Sequence, residues 1–78
     1  MTAIEFNHKL LSLQDNLTFF ARSLTANEEE AKDLVQETNI KALTNREKFE
    51  PDTKLKGGTY TIMKNTFINN YRRKVKGN

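Results

Sequence analysis

Residues 59–74 read TYTIMKNTFINNYRRK, and this stretch decides how the C-terminal part of the chain folds. Its apolar residues, with one residue from before the stretch, fall in one arc of a helical wheel: Leu55, Ile62, Met63, Phe67 and Tyr71, with Tyr60 at the edge. Its polar residues step by four, four and three along the other side: Thr61, Asn65, Asn69 and Arg72. The pattern predicts an amphipathic helix that starts at residue 53 or 54 and ends at residue 73.

Two further helices are predicted upstream. The first covers residues 4–24, with a core-facing stripe of Leu10, Leu13, Leu17, Phe20 and Leu24 and a candidate break at residues 14–16. The second covers residues 28–48, and its core-facing stripe is Ala31, Leu34, Val35, Ala42 and Leu43. Asn27 is a favourable N-cap, and Pro51 ends the helical pattern. The sequence therefore predicts an all-α fold, a small bundle of three to four helices.

Composition narrows the class of protein. The chain has 78 residues, which suits one small domain, and it has no cysteine, which excludes a disulfide scaffold and a thiolate zinc site. The single histidine, His8, is expected to be a solvated helix residue. No apolar run approaches the roughly 20 residues that a membrane span needs, so we expect a cytoplasmic protein.

Charge is divided unevenly along the chain. Residues 1–50 carry nine acidic and six basic side chains, a net −3, whereas residues 51–78 carry one acidic and seven basic, a net +6. This asymmetry predicts two partners of opposite character. The alternative is a basic tail that has no specific partner.

Two polar surfaces are candidate binding sites. Arginine and lysine neutralise phosphates, asparagine pairs with base edges, and Tyr60 and Tyr71 offer rings for stacking, so the last helix is a candidate nucleic-acid surface. The alternative is an ordinary solvated face. On the second helix Asp33, Gln36 and Glu37 form a patch suited to a protein partner.

The sequence offers no enzymatic constellation. Carboxylates occur together on the second helix, but on a convex surface without a second wall. There is no nucleophile–histidine pairing, no phosphate-binding glycine loop and no metal-ligand spacing. A non-enzymatic protein without cofactors is expected.

The motifs DLVQETNIKAL (33–43) and TYTIMKNTFINNYRR (59–73) resemble region two of sigma-70 family RNA polymerase sigma factors, in particular the extracytoplasmic-function group. The similarity extends from about residue 6 to residue 73. FFARSLTANEEEAKDLVQET and KFEPDTKLK also follow in the family's order.

The resemblance implies two sites. The second helix would dock on the coiled-coil clamp of the polymerase β′ subunit through Asp33, Gln36, Glu37 and Arg46. The last helix and the loop before it would recognise the promoter minus-ten element, hold its non-template strand and help to open the duplex, with a base extruded into a pocket formed by residues 49–53. The implied DNA-binding residues are Phe49, Asp52, Thr53, Lys56, Tyr60, Thr61, Lys64, Asn65, Asn69, Arg72 and Arg73, and Glu50 and Pro51 would help to form the pocket.

The chain departs from the family pattern at three positions. Asn39 stands where relatives usually have phenylalanine, in a core-facing position that requires hydrogen-bond partners. Gly58 and Thr59 stand where relatives usually have tryptophan and leucine. We expect residues 1–78 to be an excised region-two domain whose residues 74–78 are the end of a flexible linker.

Two alternatives remain open at the sequence level. One is a protein-interaction module, such as a remnant that binds an anti-sigma factor. The other is a helical bundle that binds single-stranded nucleic acid without sequence preference.

Overall fold

The first helical segment is divided in two. The computed structural model describes residues 2–49 and 55–76, without the side chain of Lys76. Helix α1 spans Ala3–Ser12 and helix α2 spans Gln14–Leu24, with Leu13 between them. The Gln14 side chain donates a hydrogen bond to the Leu10 carbonyl (3.0 Å), and the Ser12 hydroxyl donates to that of Lys9 (2.6 Å). The prediction of a break is therefore correct, although the break falls at Leu13 and not at residues 14–16.

Side-chain caps fix two helix starts. Thr2 and Glu5 form a reciprocal capping box at the start of α1. Helix α3 spans Glu28–Thr44, and the Asn27 side chain accepts hydrogen bonds from the backbone N–H groups of Glu29 (2.7 Å) and Glu30 (3.3 Å). The predicted N-cap is confirmed.

The later boundaries differ from the prediction. Helix α3 ends at Thr44 and is followed by a short 3₁₀ helix over Arg46–Phe49, where a continuous α-helix to residue 48 was predicted. Helix α4 spans Leu55–Lys76, three residues beyond the predicted end. The predicted start at residue 53 or 54 lies outside the described residues. The all-α prediction is confirmed, with four α-helices in the described parts of the chain.

Helix α3 lies against both α2 and α4, and α2 also contacts α4. The core contains one cluster of buried apolar side chains: Phe6, Leu10, Leu17, Ala21, Ala31, Leu34, Val35, Ala42, Phe49, Leu55 and Met63. Two predicted core residues are wrong, since Leu43 is 47% exposed and Tyr71 is 61% exposed. An apolar residue in the sequence does not guarantee burial.

Three buried threonines complete the packing, at positions 38, 59 and 66. Thr38 and Thr59 donate their hydroxyl protons to carbonyls on their own helices, those of Leu34 (2.7 Å) and Lys56 (2.9 Å). The third, Thr66, accepts a hydrogen bond from the Lys41 ammonium group (2.9 Å), which links α3 to α4. The buried hydroxyls therefore have partners, as burial requires.

Phe49 packs against the N-terminal turns of α4. Its ring lies 5.9 Å from that of Phe6, centroid to centroid, and its side chain is buried. A Cβ atom at Gly58 would come within 2.3 Å of the Phe49 ring. Gly58 thus leaves the space that Phe49 fills, and an aromatic side chain at position 58 is incompatible with this ring position.

None of the helices in the described residues is both long enough and apolar enough to cross a bilayer.

Candidate nucleic-acid and protein interfaces

The solvent side of α4 carries most of the predicted DNA contacts. Five of them form one exposed surface, which we call the strand face: Thr61, Lys64, Asn65, Asn69 and Arg72. Lys56 and Arg73 are exposed near its two ends. The helix contains six lysines and arginines and no acidic residue. The strand face is therefore suited to an anionic partner, and its amides add the capacity to distinguish base edges.

Hydrogen bonds within α4 orient two of its polar side chains, those of Thr61 and Arg73. The Thr61 hydroxyl donates to the carbonyl of Gly57 (3.0 Å), so its oxygen remains an acceptor for a ligand. The Arg73 guanidinium donates to the Asn70 side-chain oxygen (3.2 Å), which orients the arginine along the helix. Arginine donors that are already oriented lose less side-chain entropy when they bind phosphate.

The remaining predicted DNA residues are placed differently. Tyr60 is half-buried and its ring contacts that of Phe20 on α2, at 5.0 Å between centroids. Asp52 and Thr53, together with Glu50 and Pro51, lie outside the described residues. Phe49 is only 5% exposed and belongs to the core. Its ring lies against that of Phe6, so little of the side chain is open to a DNA strand, and a DNA contact by Phe49 stays a prediction.

The predicted polymerase-binding residues lie on two elements. Asp33 and Gln36 are exposed on α3, and Glu37 is half-buried, where a carboxylate oxygen accepts a long hydrogen bond from the Asn70 amide (3.4 Å). Arg46 is exposed in the 3₁₀ helix. Of the three predicted polymerase-binding residues on α3, Asp33 and Gln36 are thus more accessible than Glu37.

Two apolar residues extend this surface. Ile40 is 62% exposed and Leu43 is 47% exposed. With Asp33 and Gln36 they follow a spacing of three, four and three along α3, which aligns them on one side of the helix. We call these four residues the docking ridge. The spacing matches the seam that a helix presents to another helix. Leu43 was predicted to lie in the core, and no role was predicted for Ile40. The regular spacing of the four residues is the sequence feature that identifies both.

A groove between α3 and α4 lies beside the docking ridge. Its lining is Thr25, Glu30, Asp33, Leu34, Glu37, Phe67, Asn70, Tyr71 and Lys74. The Lys74 ammonium group forms an ion pair with the Glu30 carboxylate (3.1 Å) across it. The groove brings the acidic part of α3 next to the basic end of α4, and the exposed Tyr71 forms part of its wall.

Asn39 has the partner that its position requires. Its side-chain amide and that of Gln14 exchange two hydrogen bonds, of 2.8 and 2.9 Å, between α3 and α2. The half-buried asparagine is therefore satisfied by a residue at the start of α2. Among the residues described here there is no group of three or more His, Cys, Asp or Glu side chains that could hold a metal ion.

The helical fold agrees with the comparison to known families. Residues 11–77 match the family model of sigma-70 region 2. The chain belongs to this family, which is not enzymatic. Region 2 of sigma-70 factors binds core RNA polymerase and the minus-ten promoter element in transcription initiation.

Two curated relatives are sigma factors. The chain is 40% identical over 65 residues to the extracytoplasmic-function RNA polymerase sigma factor EcfG of Rhodopseudomonas palustris (strain TIE-1), a match that covers 83% of this chain and 36% of the relative. It is 48% identical over 48 residues to the RNA polymerase sigma factor YlaC of Bacillus subtilis (strain 168), covering 62% of this chain and 28% of the relative. The chain thus spans about a third of the length of these proteins. No solved structure matches it.

Proposed function

We propose that this chain is the part of a sigma factor that binds the clamp helices of the polymerase β′ subunit through α3 and the non-template strand of the minus-ten element through α4. Membership of the sigma-70 region 2 family, together with an α4 that is basic and free of acids, carries the proposal. In this proposal the chain guides promoter recognition and strand opening and catalyses no reaction.

The docking ridge is the proposed contact with polymerase. Asp33 supplies a carboxylate, Gln36 supplies an amide, and Ile40 and Leu43 supply apolar area that is still in contact with water. A helical partner would cover this area and form charge-assisted hydrogen bonds at its polar end. Arg46 lies beyond the C-terminal end of α3 and is a peripheral candidate.

The strand face is the proposed contact with DNA. Lys64 and Arg72 would neutralise phosphates, with Lys56 and Arg73 at the ends, while Asn65 and Asn69 would contact bases or the backbone. Asp52 and Thr53 remain proposed contributors to a pocket for an extruded base. Extrusion costs a few kcal/mol of stacking and pairing, which the contacts in such a pocket must offset.

Binding to single strands tests the DNA half of the proposal. Fluorescence anisotropy of the whole chain with labelled minus-ten oligonucleotides, each with one base changed, should show a sequence preference and an affinity that falls steeply with salt. Equal affinity for all strands of one length would favour the nonspecific alternative. Binding to none of the strands would contradict a role in DNA recognition.

Binding to the β′ clamp helices tests the other half. Asp33→Lys should abolish binding, and Gln36→Ala should weaken it, because both remove hydrogen bonds at the polar end of the ridge. Asp15→Lys, a matched charge reversal at an exposed acid of α2, should bind normally. If Asp33→Lys and Asp15→Lys had the same effect, α3 would not be the docking site.

An anti-sigma factor is a further proposed partner, since extracytoplasmic-function sigma factors typically have one. Such a partner would compete with the clamp helices if it covered the docking ridge. Binding to an anti-sigma factor alone, with no binding to DNA or polymerase, would instead favour the interaction-module alternative.

A further inference from the structure

Phe19 is the most exposed aromatic residue of α2, with 77% of its surface in contact with solvent. It lines a shallow depression between α2 and α4 together with Asn16, Phe20, Ser23 and Tyr60. The rings of Phe20 and Tyr60 meet at an angle of 45°, with 5.0 Å between centroids, and both are half-buried. We call the three rings at this place the aromatic shelf. The Phe20–Tyr60 contact holds two of them in fixed positions, while Phe19 extends the shelf into solvent.

The lining of the depression suits a flat and uncharged group. None of its five lining residues is an aspartate, glutamate, lysine, arginine or histidine. The Ser23 hydroxyl donates its proton to the Phe20 carbonyl (2.6 Å), so its oxygen is left as an acceptor. The Asn16 amide both donates and accepts. Rings for stacking with a few polar groups at the rim are the features that hold an unpaired base.

The positive charge on the α4 side of the shelf favours a ligand with an anionic part. Lys64 is exposed one turn beyond Tyr60 on the strand face, and α4 carries no acid that would repel a phosphate. A protein helix would need a long apolar stripe, but the residues beside Phe19 on the outer side of α2 are polar or charged: Asp15, Asn16, Arg22 and Ser23. A nucleotide, with a neutral base and an anionic backbone, matches the uncharged lining of the depression and the basic α4 side of this surface.

We propose that the aromatic shelf stacks one unpaired base of the strand whose backbone follows α4, with Phe19 as its outer ring. This inference rests on the proposed function. It adds α2 to the DNA-binding surface and assigns a binding role to Phe19.

The test is the affinity of the whole chain for a labelled single-stranded minus-ten oligonucleotide, measured by anisotropy. Phe19→Ala should weaken binding by roughly 5- to 100-fold, the range expected for the loss of one base–aromatic stack. Phe19→Trp should retain binding because it keeps a ring. Leu11→Ala, an equally exposed apolar truncation on α1 (71% exposed), should change nothing.

An abasic scan identifies the stacked base. When one base at a time is removed from the oligonucleotide, a single position should exist at which Phe19→Ala no longer weakens binding, because the stack is already absent. If Phe19→Ala weakened binding by the same factor at every abasic position, the shelf would not be a stacking site. Unchanged strand binding by Phe19→Ala would also overturn the stacking site, although it would leave the proposed function intact. A loss of affinity only for the β′ clamp helices would overturn the stacking site as well. Failure of the unaltered chain to bind any strand would overturn both.

Discussion

The outer surfaces of α3 and α4 use different chemistry although the two helices pack against each other. The docking ridge on α3 combines an acid, an amide and two large apolar side chains. The strand face on α4 combines basic side chains, amides and a hydroxyl, and the helix has no acidic residue. A single thin core therefore presents two surfaces that suit two unlike partners.

The difference predicts how each surface responds to salt. Exposed charges are screened over a Debye length of about 10 Å at 0.1 M salt, and release of counterions makes strand binding fall linearly with log salt. Burial of apolar area is not weakened in this way. Binding through the strand face should therefore be steeply dependent on salt, and binding through the apolar end of the docking ridge should not.

The largest expected effect follows from removing charge at the end of the strand face. Arg72→Ala combined with Arg73→Ala should weaken strand binding by about 100-fold or more at low salt, since each lost charge-assisted hydrogen bond contributes at least about 1.5 kcal/mol. The slope of log affinity against log salt should become less steep by about 1.4, or about 0.7 for each contact. Anisotropy across a salt series measures both.

The control for this pair is Lys32→Ala, an exposed base on α3, which should leave strand binding and its slope unchanged. Affinity for the β′ clamp helices should also be unchanged in the arginine variant. An equal loss of both binding activities would show that the two surfaces do not act separately.

A smaller effect is expected at the apolar end of the docking ridge. Ile40→Ala and Leu43→Ala should each weaken binding to the clamp helices by about tenfold, since a part-exposed side chain gains less than the roughly 1.5–3 kcal/mol of full burial. Calorimetric titration at low and high salt should give the same loss. Ile4→Ala, an exposed apolar residue on α1, is the matched control. A loss that appeared only at low salt would contradict apolar docking.

The sequence was sufficient for the fold class and for the polar side of each helix. The three-and-four spacing fixed which residues of α4 turn outward, and Asn27 fixed where α3 begins. The burial of Phe49 was not predictable, because it depends on the absence of a side chain at Gly58 and on a ring from α1. Exposure of Leu43 and Tyr71 was also missed, since a helical wheel does not show where a neighbouring helix stops covering an apolar residue.

Substitutions at two adjacent glycines, Gly57 and Gly58, test the packing of Phe49 against the first turns of α4. Gly58→Ala should lower the free energy of unfolding by about 1 kcal/mol, because overpacking against the Phe49 ring costs about 1–3 kcal/mol and exceeds the gain in helix propensity. Gly57→Ala should raise it by up to about 1 kcal/mol, since a Cβ there meets no atom within 4 Å. Thermal and urea unfolding measure both changes.

The combination Gly58→Ala with Phe49→Leu should recover part of the loss, because the smaller side chain makes room for the new Cβ. If Gly58→Ala were as stabilising as Gly57→Ala, the Phe49 ring would not occupy the place described above. Neither glycine variant should alter the preference among minus-ten strands, because neither changes a group of the strand face.

The smallest effect concerns the amide pair that joins the docking ridge's helix to α2. Asn39 lies next to Ile40 in sequence, and its pair with Gln14 is half-buried, so each single change to alanine leaves one amide without its partner. Removing both should cost less than the sum of the two single changes, with a coupling of about 0.5–1 kcal/mol in the free energy of unfolding. A urea-unfolding double-mutant cycle measures this coupling. Strictly additive losses would mean that the two amides do not depend on each other.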